Sequence, residues 1–218
     1  MDPYTAPHYD TSALITIDTQ NDFILDTAPA PVAGTLDILP NMKKLLGVFR
    51  GRNRLIIHVV RLYETDGANA DLCRRSLIAS GRAIVAPGTP GAELADELKP
   101  APDVTLDSDI LLSGKIQALG PNEVAVYKPR WGAFYNTGLE SFLADRGIDT
   151  LVFCGCNFPN CPRSSIYQAS ERDFRVILVS DAISQLYDRG VAELRNIGVA
   201  VLTTGEVTAR MADMPATA

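Results

Sequence analysis

Short, nearly continuous apolar runs are the strongest pattern in the chain. Six of them predict buried strands, at about 13–17, 55–60, 123–127, 151–154, 176–179 and 199–202. Between the strands, apolar residues recur at helical spacing, as in the segment 39–51. Near-continuous apolar strands that alternate with helices are typical of a parallel sheet covered on both faces. The pattern therefore predicts a three-layer α/β fold.

Two segments depart from this alternation. Residues 1–11 contain two prolines and no periodicity, which indicates an extended N-terminal arm. Residues 61–121 are irregular and rich in turn residues. Long irregular stretches in compact proteins are often functional, so we interpret this insert as a lid or rim near a site. With 218 residues, we expect a single domain that spans 1–218.

Composition narrows the class of protein. The chain has 46% hydrophobic residues and a net charge of −6 with no basic tract, which argues against a nucleic-acid-binding protein. No apolar run approaches the roughly 20 residues that span a bilayer, so we expect no membrane association. The polar N-terminus lacks the features of a secretory signal, and four cysteines are too few for a disulfide scaffold. We therefore expect a cytoplasmic protein with reduced cysteines.

Three chemically useful groups each follow a predicted strand. Asp18 and Lys128 come directly after strands, and a turn at 155–161 follows the strand 151–154. The carboxyl ends of parallel strands meet at one edge, where such sheets bind ligands. Cys161 closes this turn and precedes a predicted helix, whose N-terminus could stabilise a thiolate.

An aspartate, a lysine and a cysteine at one edge have a specific use. Cys161 can attack a carbonyl carbon, Asp18 can accept the thiol proton and return it to a leaving nitrogen, and Lys128 can support both through its charge. The two histidines are poorly placed for a Cys-His pair, since His8 lies in the arm and His58 inside a strand. We interpret His58 as a hydrogen-bonded core residue.

Three segments resemble the isochorismatase-like cysteine hydrolases, the relatives of nicotinamidase and N-carbamoylsarcosine amidohydrolase. ALITIDTQNDF (13–23) is similar to the family's first strand with its catalytic aspartate, which matches Asp18. VAVYKPRWGAF (124–134) is similar to the strand that carries its lysine, Lys128. VFCGCNFPNCPRSSIYQASERDFRVILVSDA (152–182) is similar to the nucleophile turn and helix, with Cys161 as the nucleophile. The resemblance covers about residues 12–205.

The resemblance implies a Rossmann-like sheet of six parallel strands and hydrolysis of C–N bonds in small amide, ureido, carbamoyl or lactam substrates. It implies a cis peptide bond between Asn157 and Phe158, and an oxyanion hole made by the backbone N–H groups of Phe158 and Cys161. It also implies a homo-oligomer, a dimer or tetramer. The chain departs from the family where Phe158 replaces the usual threonine and Pro162 the frequent valine.

Pockets are largely apolar and aromatic, so we expect Phe23, Trp131, Phe134 and Tyr135 to bind substrate. Tyr63 and Arg75 of the insert and Asn157 of the turn are further candidates. The nicotinamidase branch holds a metal through an Asp-x-His motif and further histidines near the second strand, where this chain offers only His58. We therefore predict no metal and no other cofactor.

Three alternatives remain at this point. An isochorismatase proper cleaves a vinyl ether, but those enzymes lack the nucleophilic cysteine. A catalytically silent family member could serve as a binding or assembly module. Finally, Cys154, Cys156 and Cys161 could form a redox or metal cluster, although Cys154 lies on a buried strand and a structural zinc site takes four ligands.

Overall fold

The sheet is the centre of the computed structural model, which describes residues 2–213; Met1 of the predicted arm and residues 214–218 lie outside the described part. The sheet has seven strands in the order β3-β4-β2-β1-β5-β6-β7. Their bounds are β1 Ser12–Ile17, β2 Leu55–Val60, β3 Gln117–Gly120, β4 Glu123–Tyr127, β5 Thr150–Gly155, β6 Arg175–Ile183 and β7 Ala200–Leu202.

The expected six parallel strands are present, but the prediction of a six-stranded, wholly parallel sheet was wrong. A seventh strand, β3, pairs antiparallel with β4 at one edge and makes the sheet mixed. This strand is only four residues long and buries only one of them, Leu119, because its outer side has no neighbouring strand. An edge strand of this kind leaves no continuous apolar run in the sequence.

Eight α-helices connect the strands within residues 2–213. They are α1 Asn21–Ile24, α2 Thr35–Gly51, α3 Leu72–Ala79, α4 Ser108–Leu112, α5 Leu139–Ala144, α6 Cys161–Ser170, α7 Asp188–Asn196 and α8 Thr204–Ala212. The helix α2 begins four residues before the predicted start, because Gly34 adopts the left-handed conformation that precedes it. None of the helices in this part of the chain is long and apolar enough to cross a membrane.

Two apolar clusters on opposite sides of the sheet make the three layers. One contains Leu14, Val152 and Ile177 together with Met42 of α2 and Val207 of α8. The other contains the strand residues that alternate with these and point to the opposite face, together with side chains of α5, α6 and α7. Every residue of β1, β2 and β5 is buried, as expected for strands covered on both faces.

The insert at 61–121 forms a satellite of the main core. It contains α3, two 3-10 turns, α4 and β3, and its apolar side chains make a third cluster. Val60 and Ala125 of the sheet join this cluster, so the insert packs beside the carboxyl ends of β2 and β4. This position brings it next to the edge where Asp18 and Lys128 lie.

The N-terminal arm lies at the amino ends of the strands, opposite the carboxyl ends where Asp18 and Lys128 lie. The backbone N–H of His8 donates to Thr150 Oγ1 at 3.0 Å, and His8 Nδ1 lies 2.7 Å from Asp149 Oδ2. These contacts attach the arm to the start of β5 in the same chain.

A buried polar network crosses the centre of the sheet. His58 on β2 lies 2.8 Å from Thr16 Oγ1 and 2.7 Å from Glu123 Oε1, which confirms that it is a hydrogen-bonded core residue. Arg50 donates to both oxygens of Glu123, at 2.8 and 2.6 Å. Burial alone would raise the pKa of Glu123, but the hydrogen bonds from Arg50 and His58 outweigh it and lower the pKa to about 2.

This lowered pKa predicts acid-dependent stability. The folded protein binds a proton at Glu123 less readily than the unfolded chain, whose ordinary pKa is 4.5. The stabilisation is therefore fully present above that value and lost as the pH falls toward 2. We expect Glu123→Gln to lower the free energy of unfolding by roughly 3 kcal/mol at pH 7 and by much less at pH 3. Urea unfolding at the two pH values measures both.

Glu140→Gln is the matched control. Glu140 also pairs with an arginine, Arg172, but on the surface, where ion pairs contribute less than about 1 kcal/mol. Equal effects of the two substitutions at both pH values would contradict the role assigned to the buried network.

Candidate active site

Strand β2 holds two of the candidate catalytic residues by their backbones. The N–H of Asp18, directly after β1, donates to Val59 O at 2.9 Å. The N–H of Lys128, directly after β4, donates to Val60 O at 3.0 Å. Because β2 lies between β1 and β4, adjacent carbonyls of one strand set both side chains at the same edge.

The third candidate, Cys161, comes from the neighbouring strand β5. The strands that follow β1 in the chain, β2 and β4, lie on one side of it, and those that follow β5, β6 and β7, lie on the other side of the sheet. The switch point of the sheet therefore lies between β1 and β5. Gly155 closes β5 with φ +117°, and a Cβ there would lie 2.4 Å from Ile17 O. Only glycine permits this approach of β5 to β1. After a short turn, Cys161 is the first residue of α6.

The three side chains meet at the sheet edge. Lys128 Nζ lies 2.9 Å from Asp18 Oδ2 and 3.3 Å from Cys161 Sγ. Asp18 is 5% exposed and Lys128 is 1% exposed, so both charges are removed from bulk water. Asp18 Oδ1 has no hydrogen-bond partner in the part of the chain that the structure describes. This oxygen is free to exchange a proton with a ligand or with the thiol.

The electrostatics of the site favour a neutral thiol. Burial raises the pKa of the Cys161 thiol, and the Asp18 carboxylate raises it further; Lys128 opposes both without cancelling them. Burial alone would lower the pKa of Lys128, but the charge of Asp18 outweighs it and raises that pKa. Among these influences, burial and Asp18 outweigh Lys128, so the surroundings of Cys161 favour the protonated thiol over the thiolate that we expected.

The turn before α6 corrects two predictions. Among residues 2–213 the cis peptide bond lies between Cys156 and Asn157, not between Asn157 and Phe158. The N–H of Cys156 still donates to Ile17 O, whereas the N–H of Phe158 donates to Ser184 O at 2.9 Å. These two hydrogen bonds anchor the turn to the end of β1 and to Ser184, directly after β6.

Phe158 is consequently not an oxyanion donor, because its N–H is already used. The N–H groups of Asn157 and Cys161, by contrast, donate to no protein group within the described residues. The side chain of Phe158 points into the core rather than toward ligand. It is fully buried, packs edge-on against Tyr187 and occupies the space that a Cβ on Gly190 would need.

A cavity of about 400 Å³ opens over the three residues, a size suited to a small molecule. Its wall combines the sheet edge, the nucleophile turn, the loop at 29–32 and the insert. The lining residues are Asp18, Phe23, Pro29, Ala30, Pro31, Val32, Arg61, Tyr63, Arg74, Leu77, Ile78, Arg82, Ile84, Lys128, Trp131, Cys156, Asn157, Asn160 and Cys161.

The predicted substrate-binding residues divide into two groups. Phe23, Tyr63, Trp131 and Asn157 line the cavity.

Phe134, Tyr135 and Arg75 do not line it. Phe134 is 5% exposed and packs against Phe174, while Tyr135 is 48% exposed outside the cavity. Arg75 on α3 is not a lining residue, although its neighbour Arg74 is.

Arg61 is a lining residue that the sequence reading missed. It directly follows β2, so the strand-end rule that found Asp18 and Lys128 would also have found it. Its buried guanidinium donates to Tyr127 Oη at 2.9 Å and Asn69 O at 2.8 Å, and more weakly to Lys128 O at 3.3 Å. Arg61 therefore supports the backbone at Lys128.

Tyr63 belongs to the same network. Burial raises the pKa of Tyr63 to about 12 despite the opposing charge of Arg61, which lies 4.3 Å from the ring centroid. The hydroxyl therefore stays protonated and donates to Asp71 Oδ2 at 3.1 Å. No sequence signal marks three further polar wall residues, Arg74, Arg82 and Asn160, which only the packing of the insert and turn brings to the cavity.

His58, the histidine near the second strand, is engaged in the buried polar network. Both ring nitrogens of His58 have partners, as described above. No group of three or more His, Cys, Asp or Glu side chains within residues 2–213 is arranged to hold a metal ion. Cys154 and Cys156 are buried free thiols whose pKa values burial raises.

Comparison with known proteins places this geometry in a family. The model of the isochorismatase domain matches residues 12–206, nearly the whole chain. The chain belongs to the isochorismatase family. An isochorismatase family protein from Desulfovibrio vulgaris has a similar solved structure, with a TM-score of 0.79 and 32% identity over 93% of this chain and 98% of that chain.

Two curated relatives differ in what their names state. A protein of Arabidopsis thaliana named a probable inactive nicotinamidase is 32% identical, over 95% of this chain and 100% of its own length. A ureidoacrylate amidohydrolase of Methylorubrum extorquens is 27% identical, over 86% of this chain and 76% of its own length. Family membership alone therefore does not decide whether this protein is active. The residues of its own site must be considered.

Because the Asp18 carboxylate raises the pKa of Cys161, removal of its charge should make the thiol more reactive. Asp18→Asn removes the charge that opposes the thiolate and leaves Lys128 free to pair with it. We expect the pKa of Cys161 to fall and its alkylation by iodoacetamide at pH 7 to accelerate at least about tenfold. Mass spectrometry of the peptide that contains Cys161 measures the rate.

Two references accompany this measurement. Cys73 is an exposed thiol on α3, and its alkylation rate should not change. Lys128→Met should slow the reaction of Cys161, because it removes the cation that contacts the sulfur. Slower alkylation of Cys161 in the Asp18→Asn variant would refute the assigned electrostatics.

Proposed function

We propose that this protein is a cysteine-dependent hydrolase that cleaves a C–N bond of a small amide, ureido or carbamoyl compound. The observation that carries the proposal is the contact of one ammonium, Lys128 Nζ, with both Asp18 Oδ2 and Cys161 Sγ in the floor of the cavity. An acid-base group and a nucleophile that are both in contact with the same cation can serve acyl transfer.

The first step forms the thioester. As Cys161 Sγ attacks the carbonyl carbon, its proton passes to Asp18, so that no free thiolate need exist beforehand. Negative charge develops on the carbonyl oxygen, and the unused N–H groups of Asn157 and Cys161 are suited to bind it. Asp18 then gives the proton to the leaving nitrogen, the C–N bond breaks, and ammonia or an amine departs.

The second step releases the product. Asp18, again a carboxylate, removes a proton from water as the water oxygen attacks the thioester carbon. The C–S bond breaks, the carboxylic acid product forms, and the proton returns to Cys161 Sγ. Lys128 stays charged throughout and keeps Asp18 beside the sulfur. The cycle uses only these side chains and water, with no cofactor.

The rival functions make different demands on Cys161. A vinyl-ether-cleaving isochorismatase does not need the thiol, and a silent binding module needs no proton acceptor beside it. The Arabidopsis relative is named a probable inactive nicotinamidase, which favours the silent alternative. Against it stands a complete set of nucleophile, carboxylate and cation in this chain, with an unpartnered carboxylate oxygen among them.

An ammonia-release screen across primary amides, ureido and carbamoyl compounds tests the proposal. We expect turnover of at least one class, and a loss of at least about a thousandfold in kcat with Cys161→Ala. Asp18→Asn should lose comparable activity even though it accelerates alkylation of the thiol. Mass spectrometry during turnover should detect the acyl group on Cys161.

Cys73→Ala is the matched control, since this cysteine is exposed on α3 and does not line the cavity. It should retain full activity. If Cys161→Ala kept the turnover of a confirmed substrate, the thioester mechanism would be excluded and a cysteine-independent hydrolysis favoured.

A further inference from the structure

The cavity has a charge that contrasts with the rest of the chain. The whole protein carries a net charge of −6. The cavity wall nevertheless contains four cationic side chains, Arg61, Arg74, Arg82 and Lys128, and a single carboxylate, Asp18. A cleft with one sign of charge and low-dielectric walls concentrates ligands of the opposite sign.

Two of these cations are already occupied within the protein. Lys128 is paired with Asp18 at 2.9 Å. Arg61 is buried, donates to backbone carbonyls and to Tyr127, and lies 3.4 Å from Asp71 Oδ2. These two charges serve the catalytic group and its support, and they offer little to the far end of a substrate.

The other two cations are available to a ligand. Neither Arg74 nor Arg82 forms an ion pair with a carboxylate anywhere in residues 2–213. Both are exposed, and both line the cavity from α3 and the segment that follows it. Arg82 makes only a long 3.5 Å contact with Pro29 O, on the loop that forms the facing part of the wall.

The surface beside these guanidinium groups is apolar. Leu77, Ile78, Ile84 and Phe23 line the same cavity and offer no hydrogen-bonding side chain. A ligand that satisfies both parts of the wall has a short aliphatic segment and one anionic end. The planar fork of donors on arginine matches a carboxylate, which it can bind through two parallel hydrogen bonds.

We propose that Arg74 and Arg82 bind a carboxylate on the substrate, so that the preferred substrates are small amides or carbamoyl compounds that carry a second, anionic group. This inference rests on the proposed function for the position of the scissile carbonyl at Cys161. The insert thereby selects the substrate at one end of the cavity while the sheet edge performs the chemistry at the other.

Binding to the Cys161→Ala variant tests this inference without turnover. Trp131 is the only tryptophan of the chain and lines the cavity, so its fluorescence reports occupancy. The probes are succinamate and butyramide, which are similar in size and differ in the carboxylate. We expect succinamate to bind at least about tenfold more tightly, and the difference to shrink as salt is added.

Substitutions then assign the preference to individual residues. Arg74→Gln and Arg82→Gln should each weaken succinamate binding by roughly five- to tenfold and leave butyramide binding unchanged. Arg75→Gln is the matched control, because Arg75 is the next residue of α3, is also exposed and does not line the cavity. It should change neither affinity.

Several results would overturn the inference. They are equal affinity for the two probes, no response to succinamate, an equal loss in the Arg75→Gln variant, or tighter binding of inorganic phosphate than of succinamate. Failure of the proposed function has a different signature. Turnover retained by Cys161→Ala, or a complete absence of turnover in the wild type, would remove the mechanism while the binding preference could still be measured.

Discussion

The ion pair between Lys128 and Asp18 is the interaction on which the site depends. Removing two opposite charges from water is costly, and their attraction offsets that cost only when geometry and further contacts are good. Here two adjacent carbonyls of β2 accept hydrogen bonds from the backbones of Asp18 and Lys128. Arg61 in turn donates to the carbonyl of Lys128. Parallel pairing of β2 with β1 and β4 is therefore what makes the buried pair possible.

That ion pair, together with burial, also influences the protonation state of Cys161, the proposed nucleophile. A cation beside a sulfur favours a thiolate, whereas a buried carboxylate beside the same sulfur disfavours it. At Cys161 the carboxylate and burial together prevail. In the proposed mechanism a thiol held neutral until a carbonyl arrives is protected from premature reaction, and its proton acceptor, Asp18, is already in contact with Lys128. The exposed Cys73 has no such arrangement.

The two halves of the cavity differ in how they are built. The floor, which holds the candidate catalytic residues, comes from strand ends and the N-terminus of α6. Sheet hydrogen bonds and the contact of Gly155 with Ile17 fix these segments. The outer wall comes from the insert and the loop at 29–32, which pack through a separate apolar cluster. The wall and the floor thus come from different parts of the chain, and Arg61 of the insert joins them through its hydrogen bond to Lys128 O.

The sequence by itself determined the layered α/β fold, the six parallel strands and the meeting of Asp18, Lys128 and Cys161. Buried strands leave continuous apolar runs, and residues that directly follow parallel strands must share an edge. The sequence did not reveal β3, because an exposed edge strand of four residues has no such run.

Only the tertiary structure decided the rest. The turn before α6 follows a path in which the N–H of Phe158 donates to Ser184 O. That path depends on hydrogen bonds between segments that are distant in the chain. The choice of Arg74 rather than Arg75 as a wall residue depends on how α3 is rotated against the sheet. Such choices arise from packing between distant segments, which leaves no local pattern in the sequence.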